Sequence, residues 1–74
     1  MMSYGDFDRA AQKAGYRCDQ YARTVSAALF VLVSGWITAR AAEFWMVTPK
    51  SVSRVAAKIM RAHVANGEAS NAAD

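Results

Sequence analysis

The sequence contains one cysteine, one histidine and one proline in 74 residues. One cysteine excludes an internal disulfide, and one cysteine with one histidine is too few for a structural zinc site. A chain this short buries a modest core and usually depends on such a crosslink or on a partner. We therefore expect another protein chain or a lipid environment to complete the burial of its apolar surface.

Residues that could form a catalytic site are equally scarce. His63 would have to serve as the base for any serine nucleophile, and it lies near the C-terminal end. Asp6 and Asp8 are two residues apart, so on a helix they point to different faces and do not form a carboxylate pair. The chain has no glycine-rich phosphate-binding loop. These absences predict a protein that is not an enzyme and that holds no cofactor or metal.

The net charge is small and positive. Nine Lys and Arg residues against six Asp and Glu give a formal charge of +3. This balance suits an anionic lipid surface or an acidic protein partner, but by itself it is too small to indicate nucleic acid. No nucleic-acid partner is therefore expected from the sequence.

Alanine-rich, non-alternating apolar residues predict an all-α protein. The pattern indicates one long helix from about residue 4 to 47, with Ser3 as its N-cap and Asp6 three residues later. The single proline, Pro49, marks a break. Thr48 is the predicted N-cap of a short basic amphipathic helix over about 49–65, which we expect Asn66-Gly67 to end.

The stretch from Val25 to Ala39 contains no charged residue. A helix that is apolar on all sides lies either in lipid or inside protein. Its length is marginal against the roughly 20 residues that a membrane span needs. We interpret the chain as an amphipathic helical segment (1–23), a single transmembrane helix with interfacial aromatic residues (24–47), a basic amphipathic helix (48–66) and a polar tail (67–74).

Three groups of residues are candidates for intermolecular contact. A line of uncharged, mostly small residues predicts a helix-packing seam; it comprises Cys18, Tyr21, Val25, Ala28, Leu32, Gly35, Ala39 and Ala42. Large aromatic residues near arginine are candidate anchors for a partner or a membrane interface; these are Trp36, Phe44 and Trp45. Cations predicted to meet lipid headgroups or an acidic partner are Arg40, Lys50, Arg54, Lys58 and Arg61.

The leading functional hypothesis is a single-pass accessory subunit of the bacterial inner membrane. It would dock by helix packing onto a larger integral membrane complex and assemble or stabilise it, touching anionic lipid, with its C-terminus in the cytoplasm. A second hypothesis is a soluble, dimeric helical binding or inhibitor protein of the phage or plasmid type. A third is a self-assembling holin, coat or pilin subunit. A homo-oligomer is compatible with all three.

Overall fold

The computed structural model describes residues 2–16 and 22–72, and the side chains of residues 2–16 and 22–65. Within these ranges the chain forms four α-helices and no strand. They are α1 (Tyr4–Lys13), α2 (Ala22–Leu32), α3 (Thr38–Trp45) and α4 (Pro49–Ala72). The all-α prediction is confirmed, but the prediction of one helix over 4–47 is wrong because this stretch forms three helices.

The start of α1 follows from its capping residues. Ser3 has extended backbone angles, and its hydroxyl accepts a hydrogen bond of 3.1 Å from the backbone N–H of Asp6. The Ser3 hydroxyl also acts on the Asp6 carboxyl: its side-chain hydrogen bond lowers the pKa of that group, as do the hydrogen bond and charge of Arg9 and the electrostatic effect of His63. The carboxylate also pairs with the Arg9 guanidinium one turn later. The predicted cap at Ser3 is confirmed.

Gly15 ends α1 in a left-handed conformation, with φ of 92°. The backbone N–H of Tyr16 donates to the carbonyl of Ala11 at 3.0 Å, and that of Gly15 donates to Gln12 at 3.0 Å. These two bonds form a Schellman motif, which satisfies carbonyls at the end of a helix and turns the chain away from its axis. The long-helix prediction therefore fails first at Gly15.

The apolar stretch is interrupted at Gly35, which also has a left-handed conformation, with φ of 76°. The helix that precedes it, α2, has 11 residues and is about 16 Å long. A membrane-spanning helix needs about 20 apolar residues. In the described ranges, no helix combines the length and apolar character required for crossing a bilayer. The predictions of a transmembrane helix over 24–47 and of a single-pass location in the inner membrane are therefore wrong.

The predicted cap of the last helix is also confirmed. Thr48 Oγ1 accepts a hydrogen bond of 3.2 Å from the backbone N–H of Ser51 and donates one of 2.8 Å to the Ser51 hydroxyl. Pro49 is the first residue of α4. The predicted end at Asn66-Gly67 is wrong, because α4 continues to Ala72. Glycine lowers helix stability by about 1 kcal/mol but does not by itself stop a helix.

Helix α4 packs against each of the other three helices. Its Val55 and Ile59 are buried with Phe7 of α1 and Ala28 of α2, whereas its Val52 is buried with alanines of α2 and α3. The two clusters lie on different sides of α2. This accounts for the absence of charge from Val25 to Leu32, since neighbouring helices of the same chain bury or partly cover these residues.

Gly5 inside α1 and Gly15 at the turn that ends it provide a stability test. Gly15→Ala would place a Cβ on a left-handed residue and should lower the free energy of unfolding by about 1–2 kcal/mol. Gly5 lies inside α1, where an added Cβ would come no closer than 3.6 Å to Arg9 Nη1. Gly5→Ala should therefore raise the free energy of unfolding by up to about 1 kcal/mol. Urea denaturation monitored by circular dichroism measures both, and equal effects of the two changes would contradict the turn at Gly15.

Asp6 predicts a pH dependence of stability. Because its pKa is lower in the folded protein than in the unfolded chain, the carboxylate stabilises the fold above about pH 4. This contribution disappears as the pH falls through the folded pKa. Asp6→Asn should therefore lower the melting temperature at pH 7 and have a smaller effect as the pH falls through the folded pKa of Asp6. A difference from wild type that is independent of pH would show that the charge is not responsible.

Candidate functional site

Helices α3 and α4 form a compact unit around a three-residue turn. The turn consists of Met46, Val47 and Thr48, and it connects the 8-residue α3 directly to the capped start of α4. Ala41 and Ala42 of α3 and Val52 of α4 are at most 1% exposed and share a buried cluster with Ala27 of α2. Small alanines let the helices approach closely, so the position of α4 relative to α3 is set by packing.

Met46 makes this turn sharp. It is the non-glycine residue with positive φ in the described chain, with φ of 57° and ψ of 46°. The backbone N–H of Val47 donates to the carbonyl of Ala42 at 2.9 Å, and that of Met46 donates to Glu43 at 3.2 Å. Val47 packs against the buried cluster. The turn is therefore another Schellman motif, with methionine in the position that glycine usually occupies.

A basic face lies along the first three turns of α4. Lys50, Arg54, Lys58 and Arg61 are all exposed. At 100° per residue they fall within an arc of about 80° and extend over about 16 Å of helix. No acidic residue occurs between Pro49 and Ala65. We call these four residues the basic face. Within residues 2–16 and 22–65, none of them forms an ion pair with an acidic side chain.

The basic face is electrostatically unfavourable to the isolated protein. Lys50–Arg54 and Arg54–Lys58 are like-charged pairs four residues apart, and each such pair costs about 0.2–0.5 kcal/mol. Lys50 is the second residue of α4, where the helix dipole also opposes a positive charge. The Lys58 ammonium is 5.5 Å from the centre of the Tyr16 ring, an attractive contact that offsets part of this repulsion. An anion bound along this face would reduce the repulsion among its cations.

A second surface feature is a cluster of four aromatic rings. Phe30 is surrounded by Trp36, Phe44 and Trp45, with ring-centre distances of 4.7, 5.4 and 5.4 Å. Phe44 also lies 5.6 Å from Trp36 and 5.5 Å from Trp45. The predicted anchors Trp36, Phe44 and Trp45 are therefore brought together, around a phenylalanine that the sequence did not single out.

The four rings differ in how much they meet the solvent. Trp36 and Phe44 are 38% and 61% exposed, whereas Phe30 and Trp45 are half-buried. The Trp45 Nε1 atom is buried and has no hydrogen-bond partner within the described part of the chain. A groove of about 440 Å³ borders Phe30 and Trp45 and separates α1 from α2. Its ionisable lining residues are Asp8, Tyr4 and Tyr16, which do not form a catalytic set.

The residues of the predicted packing seam do not lie on one helix. Ala28 and Ala42 are buried inside the protein, and Val25 and Leu32 pack against the core. Gly35 and Ala39 are exposed, at the turn before α3 and on α3. Cys18 and Tyr21 lie outside the described residues. The uninterrupted stripe that the sequence suggested is therefore divided between two helices and a turn.

The predicted cations fall on two surfaces. Arg40 is on α3, beside Trp36 and Ile37, and the other four form the basic face of α4. Sequence reasoning predicted the cap at Thr48 but missed the turn between two helices that precedes it, and it did not single out the exposed Ser53. The signal that could have revealed the turn is the spacing of an alanine, a turn residue and an N-cap at Ala42, Met46 and Thr48. The signal is weak because a turn of this kind is normally recognised by its glycine, and here the turn residue is methionine.

Comparisons with protein families, curated proteins and solved structures gave no match to the chain. Among the described residues, no group of three or more His, Cys, Asp or Glu side chains is arranged to hold a metal ion. His63 is half-buried on α4, close enough to Asp6 for its charge to lower the pKa of that carboxyl. The function must therefore be argued from the two exposed surfaces.

Met46 gives a test of the turn. Met46→Gly should raise the free energy of unfolding by about 1 kcal/mol, because glycine adopts the left-handed conformation without steric cost. The Met46 side chain is 78% exposed, so little packing is lost. Ser53→Gly, at an exposed position inside α4, is the matched control. It should lower the free energy of unfolding by about 0.5 kcal/mol. Chemical denaturation measures both, and destabilisation by Met46→Gly would contradict the turn geometry.

Proposed function

We propose that the protein is a small DNA-binding protein in which α3 and α4 act as a helix-turn-helix. Two helices joined by a three- or four-residue turn, with the second helix free to enter the major groove, characterise this motif. The observation that carries the proposal is the basic face of α4, which begins directly after the turn and consists of exposed side chains. Helix α4 would be the recognition helix.

The chemistry of the exposed residues supports this assignment. The major groove is about 12 Å wide and admits one α-helix, and lysine and arginine supply the contacts to phosphates and to guanine. A phosphate near the start of α4 would meet both Lys50 and the positive end of the helix dipole. Ser53 and Arg54 are exposed in the second turn, the part of a recognition helix that reaches base edges.

The proposal departs from the expectation that nucleic acid is not a partner. That expectation considered the net charge of +3, which is spread over the whole chain. Four of the nine basic residues are gathered on one helix face, so the local field is much stronger than the net charge suggests. The prediction that the protein is not an enzyme is retained alongside this proposal.

The second sequence hypothesis, a dimeric helical binding protein, remains compatible with it. Helix-turn-helix proteins commonly bind DNA as dimers, because one recognition helix contacts only a short half-site. The aromatic cluster formed by α2, α3 and the turn between them is the observation that favours protein association. It involves residues other than those of the basic face.

The decisive experiment is a titration of a fluorescein-labelled 30-base-pair mixed-sequence duplex, measured by fluorescence anisotropy. We expect binding that weakens steeply with salt, because each cation–phosphate contact releases a counterion. Lys50→Ala should reduce the slope of log K against log salt by about 1. Arg54→Ala should weaken binding to a site selected from random duplexes by about 1–3 kcal/mol and relax its sequence preference.

Arg23→Ala is the matched control, because it removes an exposed arginine from α2, outside the two-helix unit. It should leave the affinity within about twofold of wild type. Lack of binding at low salt, or equal losses for all three variants, would contradict the proposal. Far-UV circular dichroism checks that each variant is folded. We expect all three to fold, because the replaced side chains are exposed and alanine favours helix.

A further inference from the structure

The exposed side of α3 carries an apolar surface that the basic face does not use. Ile37 is 71% exposed, and Trp36 and Phe44 form the exposed part of the aromatic cluster. Arg40 and Glu43 lie on the same side of α3, one turn apart, and both are exposed. We call these five residues the α3 face: Trp36, Ile37, Arg40, Glu43 and Phe44.

The α3 face has the characteristics of a protein-binding surface. Large aromatic residues and arginine dominate the binding energy of protein interfaces, particularly where they are held rigidly. Here the Phe44 ring is held between Phe30, Trp36 and Trp45 at centre-to-centre distances of 5.4–5.6 Å. Little side-chain freedom would therefore be lost on binding.

The charges of the α3 face indicate which partner it fits. It contains one cation and one anion, so an entirely acidic or entirely basic partner would leave one of them facing a like charge. Neither Arg40 nor Glu43 forms an ion pair with a described residue of its own chain. In a two-fold symmetric contact, residue i meets residue j of the partner and j meets i. Antiparallel packing of two α3 helices would therefore pair each Arg40 with the Glu43 of the other copy.

We propose that the α3 face binds a second copy of this chain and forms a symmetric dimer. Phe44 and Ile37 supply the apolar contacts of the interface, and the two Arg40–Glu43 pairs lie beside them. The inference is independent of DNA binding, because it rests on residues that are not part of the basic face. The face is formed by a short helix and the turn before it, so we expect reversible association in the micromolar range.

Charge reversal tests this arrangement. Sedimentation equilibrium of the full chain, without DNA, should give a monomer–dimer equilibrium. Arg40→Glu alone and Glu43→Arg alone should each raise the dimer dissociation constant by about tenfold or more, because each places like charges together at two symmetric positions. The double variant, Arg40→Glu with Glu43→Arg, restores opposite charges and should bring the constant back to within about threefold of wild type.

Arg23→Glu is the matched control; it reverses an exposed arginine on α2 and should leave the equilibrium unchanged. Phe44→Asp should yield a monomer, and circular dichroism establishes whether it folds. The charge variants alter only exposed polar side chains, so they test the proposal even if Phe44→Asp unfolds. A wild-type protein that stays monomeric up to about 200 µM, or a double variant that dimerises no better than the single variants, would overturn the proposed dimer.

Discussion

The structure depends on the close contact between the apolar side of α4 and the alanines of the other helices. Val52 and Ile59 are the largest fully buried side chains, and they meet alanines from α1, α2 and α3 that are themselves almost completely buried. Small side chains bring helix backbones close together, so a short chain gains many van der Waals contacts from few bulky residues. Substituting a larger side chain at these alanines would separate the helices, and the interior has little room to adapt.

This contact also connects the fold with the proposed function. The side of α4 that faces the core and the side that carries Lys50 and Arg54 belong to the same turns of helix. Packing therefore holds the basic face in one orientation, while the cap at Thr48 determines where that helix begins. A surface that reads a rigid duplex requires such a fixed orientation, because misplacement by even 1 Å weakens directional hydrogen bonds.

Met46 shows how strain and packing are balanced in a small domain. A left-handed non-glycine residue is unfavourable by about 1–2 kcal/mol, so the surrounding structure must favour it by more. Val47 contributes part of this compensating free energy by packing on the buried cluster. The two backbone hydrogen bonds of the turn contribute a further part. The methionine side chain itself is 78% exposed and adds little packing, so the strain is offset by the backbone of the turn and by its neighbour Val47.

The sequence by itself determined the features that depend on neighbouring residues. These are the all-helical class and the caps at Ser3 and Thr48. The sequence also predicted that the uncharged stretch Val25–Ala39 avoids water, which applies to its first part but not to Ile37 and Ala39, which are exposed. Only the tertiary structure decided where the stretch turns and what covers its first part, because glycine at positions 15 and 35 permits a turn without requiring one. It also decided that Ala42 is buried while Ala39 is exposed, which depends on where α4 packs. Local patterns report that a segment avoids water, whereas the identity of the covering surface depends on distant residues that the chain brings together only on folding.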